Sequence, residues 1–200
     1  MISVTNIRDM LADNQEDLVK TYIQTYSCEM EKDGVRKVLN PDIERFLYDN
    51  AVQFAKMKTA VTYLVIDDDD GALLGYFTLA HKPLKVTSDG ISRKVRDQLK
   101  RFSKLDEDSN AYTISAFLLA QFGKNYAVEN GTRISGTELM NIAMEQLRNV
   151  QNNIGGTIVY LDCEADAGLI RFYEKQKFKL FGERISENDG KRYLQYLNFV

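Results

Sequence analysis

Apolar positions along this chain change period several times, and each change marks a predicted element. Ile2 to Ile7 alternates weakly and reads as a short strand, whereas Leu18, Tyr22 and Tyr26 recur every four residues, as on one stripe of a helix over Asp13–Met30. Pro41 opens a second predicted helix through Lys56, with Ile43, Phe46, Leu47, Ala51 and Phe54 on one side; proline suits a first helical turn because its missing donor would go unpaired there. Thr59–Ile66 and Leu73–Ala80 are rich in β-branched and aromatic residues, and Asp67–Gly71 interrupts them, which predicts a hairpin. Ser92–Ser103 reads as a basic helix. Ala111–Gly123 is apolar on both alternating faces, with Ile114, Ala116, Leu118, Ala120 and Phe122 against Phe117 and Leu119, as in a central strand covered on both sides. Thr157–Leu161 has the same character. Between them Leu139, Ala143, Leu147, Val150 and Ile154 form a helical stripe that Gly155-Gly156 ends. Phe178–Ile185 and Arg192–Leu197 close the chain as strands around Asp189-Gly190. Hairpins at both ends and a β-α-β crossover in the middle predict an α/β fold with a mixed, mostly antiparallel central sheet flanked by helices.

A 44% hydrophobic content over 200 residues is enough for one well-buried core, and with two prolines and no low-complexity tract a single domain over 1–200 is expected. No apolar run nears the roughly 20 residues of a membrane span, and Met1-Ile2-Ser3-Val4 lacks the layout of a secretory signal. Cys28 and Cys163 are too sparse for a disulfide framework, so a reduced cytoplasm is expected, with Cys163 a buried thiol rather than a nucleophile. His81 is the sole histidine, which excludes a His-rich zinc site and any two-histidine mechanism; no metal is expected. Asp67–Asp70 lacks the alternating ligands of a calcium loop and reads as a solvated turn. The net charge of −3 hides an asymmetry: Lys82–Lys104 carries eight basic residues against Asp89 and Asp97, a net of +6 that leaves −9 elsewhere. That block is either a solvated helix face or an attractor of anionic partners.

The chemistry gathers at Asn130–Glu138. Ser135-Gly136-Thr137-Glu138 fits a capping box, with the Ser135 hydroxyl accepting from the Glu138 amide and the Glu138 carboxylate reaching back to the Ser135 amide. The donors of Thr132, Arg133, Ile134, Gly136 and Thr137 are then expected to face an anion, with helix dipole and unpaired amides acting together. Gly131 and Gly136 keep the approach clear, and Arg133 is expected to add a charge at the mouth.

This part of the chain resembles the GNAT family of N-acetyltransferases. The family's cofactor motif, Gln/Arg-x-x-Gly-x-Gly/Ala after a strand and opening a helix, is in register with Gly131-Thr132-Arg133-Ile134-Ser135-Gly136. Phe172-Tyr173-Glu174-Lys175-Gln176-Lys177-Phe178 is similar to its Leu/Phe-Tyr-Glu-Lys-x-Gly-Phe signature, and Leu74-Gly75-Tyr76-Phe77-Thr78-Leu79 to its third strand. Asp42–Leu47 resembles a helix of a bacterial branch of the family, and the whole resemblance covers roughly 41–197. Four positions depart from it: Gly131 and Ile134 in the loop, Asp166 where an asparagine often contacts the pantetheine arm, and Lys177 in place of glycine.

The resemblance implies the acyl-CoA N-acyltransferase fold, its sheet split between two central strands. It implies that backbone groups of Phe122, Gly123 and Lys124 pair with the pantetheine, that Asp166 lies along the arm, and that the loop holds the pyrophosphate of acetyl-CoA, the co-substrate. A primary amine on a small molecule or peptide attacks the thioester directly in a ternary complex, and Tyr173 protonates the departing thiolate. By spacing alone Tyr173 reads as a core aromatic with Leu169 and Phe172; the Glu-Lys-x-x-Phe context turns the reading to the catalytic one. The base that deprotonates the amine is left open among Tyr112, Ser115, Asp162, Glu164 and a water chain. The bacterial branch includes toxins that acetylate aminoacyl-tRNA, and the basic block 82–104 would steer such a substrate. A non-catalytic acyl-CoA sensor is the reading from another class, and monomer or homodimer both fit.

Overall fold

The computed structural model describes residues 1–12, 15–186 and 190–200, over which the chain forms ten strands and seven helices. The elements are β1 (Ile2–Asn6), α1 (Ile7–Leu11), α2 (Glu16–Ile23), β2 (Glu29–Lys32), β3 (Val35–Val38), α3 (Pro41–Asp49), α4 (Ala51–Lys56), β4 (Val61–Asp67), β5 (Ala72–Thr87), α5 (Arg93–Leu99), β6 (Leu105–Asp106), β7 (Ala111–Lys124), α6 (Gly136–Ile154), β8 (Ile158–Glu164), α7 (Ala167–Lys175), β9 (Lys179–Ile185) and β10 (Arg192–Phe199). The expected helix start at Asp13 and the Asp189 half of the final turn lie outside the described residues. Among those described, no helix is long and apolar enough to cross a membrane.

The chain divides into two compact units, Met1–Ala80 with Ala120–Leu147, and His81–Leu119 with Arg148–Val200. In the first, β1, β4, β5 and β7 are successive neighbours in a sheet, with β1/β4 and β4/β5 antiparallel. Thr62 faces Thr78 across β4/β5, and their fully buried hydroxyls satisfy each other at 2.8 Å. Ile7, Val19, Ile23, Tyr26, Leu47 and Tyr76 build its core, and the Tyr76 hydroxyl donates to the Ile43 carbonyl at 2.5 Å. In the second unit the order is β5, β7, β8, β10, β9, with β8/β10 and β10/β9 antiparallel and β7/β8 parallel. Its core includes Leu84, Val95, Leu99, Tyr112, Ile158 and Leu197. The mixed, mostly antiparallel sheet follows the hydrophobic pattern.

Three local expectations change. The helix expected to reach Met30 ends at Ile23. There the Thr25 amide and hydroxyl both turn back to the Tyr22 carbonyl, at 3.1 and 2.7 Å, and close the last turn. The chain then forms the unexpected β2/β3 hairpin through Asp33 and Gly34, at φ 53° and 75°, the positive-φ pair that a two-residue turn requires. The Pro41–Lys56 helix is two helices meeting at Asn50.

Candidate functional site

Within the first unit, β7 leads into the loop that precedes α6. Asn125, 1% exposed, fixes the exit from the strand. Its amide nitrogen donates to Thr25 and Leu73 carbonyls at 3.0 and 2.7 Å, while its oxygen accepts from Ser27 and Ala127 amides at 2.8 and 2.9 Å. All four bonding positions of that buried amide are thereby used, and the sequence reading missed it. Gly123 lies so close to Tyr26 that a Cβ there would collide with the phenol hydroxyl, and a Cβ on Gly75 would stand 2.8 Å from the Gly123 carbonyl. The paired glycines let backbone approach backbone at the strand end.

The loop is tightly wound. Glu129, Asn130 and Gly131 are left-handed in succession, at φ 46°, 54° and 70°. The Asn130 side chain accepts from the Glu31 amide at 2.9 Å and donates to the Glu31 carbonyl, so the loop is pinned to β2 as a strand partner would be. The capping box forms as expected: Ser135 N–H donates to Glu138 Oε2 at 2.8 Å and Glu138 N–H to Ser135 Oγ at 3.1 Å. These bonds hold the Glu138 carboxyl below its ordinary pKa.

The donor set is narrower than the sequence suggests. Gly131 N–H donates to the Val128 carbonyl at 2.9 Å, and the Thr132 amide and hydroxyl both return to the Glu129 carbonyl, at 3.2 and 2.8 Å. Thr132 is therefore not open to a ligand. Among the described residues the amides of Arg133, Ile134 and Gly136 make no hydrogen bond. The Ile134 side chain is buried, at 2% exposure, so it does not crowd them.

Arg133 corrects a further expectation. Its guanidinium does not stand at the mouth as a spare charge: it donates to Asp70 at 2.7 Å and to Asp67. The four-aspartate turn is thus an anchor for this arginine rather than only a solvated bend. Hydrogen bonds from the Arg133 guanidinium and the Ala72 amide lower the Asp70 pKa. The Asp69 amide, then Arg133, lowers that of Asp67. The cation left beside the loop is Lys124. Its Nζ donates to the Gly131 carbonyl at 2.7 Å and lies 5.1 Å from the Tyr126 ring centre, with no carboxylate partner among the described residues. Half-burial pushes its pKa down.

Within the second unit, the parallel ladder between β7 and β8 consists of Phe117↔Val159 and Leu118↔Tyr160. Two base candidates on β8 are engaged elsewhere: Asp162 pairs with Arg184 at 2.5 Å and accepts from Gln195 at 3.1 Å, and Glu164 pairs with Lys191 at 2.9 Å. Tyr112 is 1% exposed in the core. Ser115 is exposed, and its Oγ lies 2.9 Å from Nε2 of His81, also exposed. The two residues are 34 apart along the chain, and no local pattern pairs them.

Asp166 is the N-cap of α7, its Oδ1 accepting from Gly168 and Leu169 amides at 2.7 and 3.0 Å. Tyr173 is buried, with its ring edge-on to Phe172 and Phe178 at 5.1 and 5.8 Å and tilted against Tyr196 at 6.3 Å. Its hydroxyl makes no hydrogen bond among the described residues, and desolvation pushes its pKa well up. Lys177, where the family pattern has glycine, is left-handed at φ 68° just past the helix end. Burial raises the Cys163 thiol to about 11, which makes it a poor nucleophile at neutral pH.

No protein-family sequence model matches the chain, and no curated protein sequence does. Solved structures match along nearly all of it. AtaT complexed with acetyl-methionyl-tRNAfMet is 14% identical, with a TM-score of 0.62, over 97% of this chain and 94% of that one. The fold is that of the GNAT acetyltransferases. A tyrosine-to-phenylalanine mutant of KacT matches with a TM-score of 0.63 at 14% identity, over 98% and 94% of the two chains. A corresponding type of AtaT mutant, bound to the C-terminus of the antitoxin AtaR and acetyl-CoA, scores 0.58 at 13% identity over 99% and 92%.

Proposed function

We propose that this chain is an acetyl-CoA-dependent N-acetyltransferase of the toxin type, acting as one domain over residues 1–200 on the amino group of an aminoacyl-tRNA in the cytoplasm. The observation that carries the cofactor half is the loop before α6. Three amides without a partner among the described residues, those of Arg133, Ile134 and Gly136, lie in a segment whose own carbonyl holds the Lys124 ammonium, which has no carboxylate partner among those residues. Amides at a helix start and a partly desolvated cation form the donor set a pyrophosphate needs. In this reading the backbone of Phe122, Gly123 and Lys124 pairs with the pantetheine amides, and the amine attacks the thioester carbonyl without a covalent enzyme intermediate.

Tyr173 serves the leaving group. A phenol with a raised pKa begins each cycle protonated and donates a hydrogen bond to the sulfur as negative charge develops there. A thiol titrates near 8.5, so full transfer from so weak an acid runs uphill. The stabilisation therefore comes mainly from the hydrogen bond, with water restoring the proton balance.

The acceptor half rests on α5. Its apolar side places Val95 and Leu99 in the core, while Arg93, Lys94, Lys100 and Arg101 are exposed. Arg93, Lys94, Asp97, Gln98 and Arg101 line an open groove of about 540 Å³. A polyanionic acceptor suits this face better than a neutral amine on a small molecule or peptide does, and the likeness to AtaT bound to acetyl-methionyl-tRNAfMet points the same way. The departures that motivate a non-catalytic sensor have folding explanations: Ile134 goes into the core, Asp166 caps α7, and Lys177 takes a helix-end turn. The test is transfer of radiolabelled acetyl from acetyl-CoA to a mixture of aminoacyl-tRNAs, followed at increasing salt. Label on the α-amino group, with a KM that rises steeply with salt, is expected. Acetyl-CoA binding without label on tRNA or on a panel of amines would overturn the proposal in favour of the sensor.

A further inference from the structure

The carboxylates first considered as the base are held in ion pairs, which directs attention to the exposed sheet face of the second unit. On β5, His81, Lys82, Pro83, Lys85 and Thr87 are exposed while Leu84 and Val86 are buried; on β7, Thr113 and Ser115 are exposed between buried Tyr112, Ile114 and Ala116. The His81 ring rests on Phe117, 5.2 Å between centres, and its Nε2 meets Ser115 Oγ at 2.9 Å. Phe117 opens the short ladder with β8, which stops one residue later. Ser115 precedes Phe117 by two residues on the same strand, about 7 Å at the usual rise, so the two side chains leave the same face of β7. β7 carries no charged residue between Ala111 and Leu119, and the charges on β5 over this stretch are Lys82 and Lys85.

We propose that His81 and Ser115 form the relay that deprotonates the acceptor amine. This deepens the acetyltransferase reading and rests on it. An α-amino group titrates at about 7.7–8.0, so at pH 7 roughly nine in ten acceptors are ammonium ions that cannot attack. The ammonium gives a proton to Ser115 Oγ as the serine's own proton passes to Nε2, which requires the tautomer with hydrogen on Nδ1. The imidazolium then releases its Nδ1 proton to water, and exchange of the remaining ring proton through water restores the Nδ1 tautomer before the next turnover. The freed nitrogen lone pair forms the C–N bond and the C–S bond breaks. Of the two protons the nitrogen loses on the way to the amide, the first leaves through His81 and the second balances the one delivered to sulfur.

The test uses methionyl-tRNA and acetyl-CoA with the full chain and with His81→Gln, Ser115→Ala and His81→Gly. At pH 7, His81→Gln and Ser115→Ala should each lower kcat/KM about tenfold, the cost of relying on the neutral fraction of the amine. The deficit should close by pH 9, where the amine is already neutral, and acetyl-CoA affinity should stay unchanged. Added imidazole should restore His81→Gly, a response that a merely structural histidine would not give. If both substitutions leave the pH 7 rate intact while the unmodified protein transfers acetyl, the relay is wrong and the acetyltransferase reading stands. If the unmodified protein transfers nothing, both are overturned together.

Discussion

The Lys124 ammonium donates to the carbonyl of Gly131 at 2.7 Å, tying the end of β7 to the first residue of the loop motif. The first position of that motif carries a polar side chain in the pattern the chain resembles, and here it carries none; Lys124 brings a cation to the same residue from outside the loop. Lys124→Met keeps the length of the side chain and removes its charge. It should weaken acetyl-CoA about tenfold, the scale of one charge-assisted hydrogen bond, while leaving affinity for acetyl-pantetheine, which lacks the diphosphate, unchanged. Calorimetry with the two compounds checks this. Equal losses for both would mean that the substitution has disturbed the strand end.

Gly136→Glu separates helix stability from ligand binding. A carboxylate in the first turn of α6 interacts favourably with the helix dipole, worth a few tenths of a kcal/mol or more. The same charge beside the free amides repels a diphosphate. Thermal stability should hold or rise slightly while acetyl-CoA affinity falls more than tenfold. Retained affinity would remove this loop from the cofactor site.

Much of the fold was legible because its causes are local. The two-faced apolar run of β7, the stripe of α6 and the Ser135–Glu138 box are written in residues a few places apart, where periodicity and capping act. The β2/β3 hairpin was legible in principle, since Asp33-Gly34 is a strong turn pair, but its strands are mostly charged and exposed and offer no hydrophobic alternation. At the candidate site, what could not be read was partnership across distance. Arg133 is 63 residues from Asp70, and His81 lies on a strand that reads as ending at Ala80. Asn125 looks like an ordinary polar residue until its four backbone partners converge on it.

Lys177 is a stability test of the family pattern. A non-glycine residue in the left-handed region carries a penalty of about 1–2 kcal/mol, while glycine costs about 0.5–1 kcal/mol in unfolded-state freedom. At φ 68° the first effect is the larger, so Lys177→Gly should stabilise the protein by about 0.5–1 kcal/mol in urea unfolding. A destabilised variant would show that the lysine side chain contributes more than the turn costs.

Acid should act on a defined set of carboxylates. Hydrogen bonds from Lys20, then Lys56, hold the Glu16 pKa at about 2, and Asp67, Asp70 and Glu138 are also lowered. Each folded value lies below the unfolded one, so at intermediate pH the unfolded chain binds more protons. Their stabilisation is complete above about pH 4.5 and is lost as pH falls through the folded values. The melting temperature should be level from pH 7 to 5 and fall below about pH 4.5. Arg133→Gln, which removes the partner of Asp67 and Asp70, should reduce that fall. A melting temperature unchanged down to pH 3 would contradict the argument.

Tyr173→Phe tests the leaving-group role against the packing role the sequence left open. The ring sits among Phe172, Phe178 and Tyr196, contacts a phenylalanine keeps, and the lost hydroxyl has no hydrogen-bond partner among the described residues to strand. Stability and acetyl-CoA affinity should therefore change little. The developing thiolate would lose its donor, and kcat should fall 10²- to 10⁴-fold, the usual range for one positioned acid. Poorer leaving groups depend more on such a donor. With a series of acyl donors whose thiols differ in acidity, the deficit should shrink as the thiol becomes more acidic. A deficit that is the same for every thiol would place Tyr173 in positioning rather than in protonation, and an unchanged kcat would leave it a core aromatic.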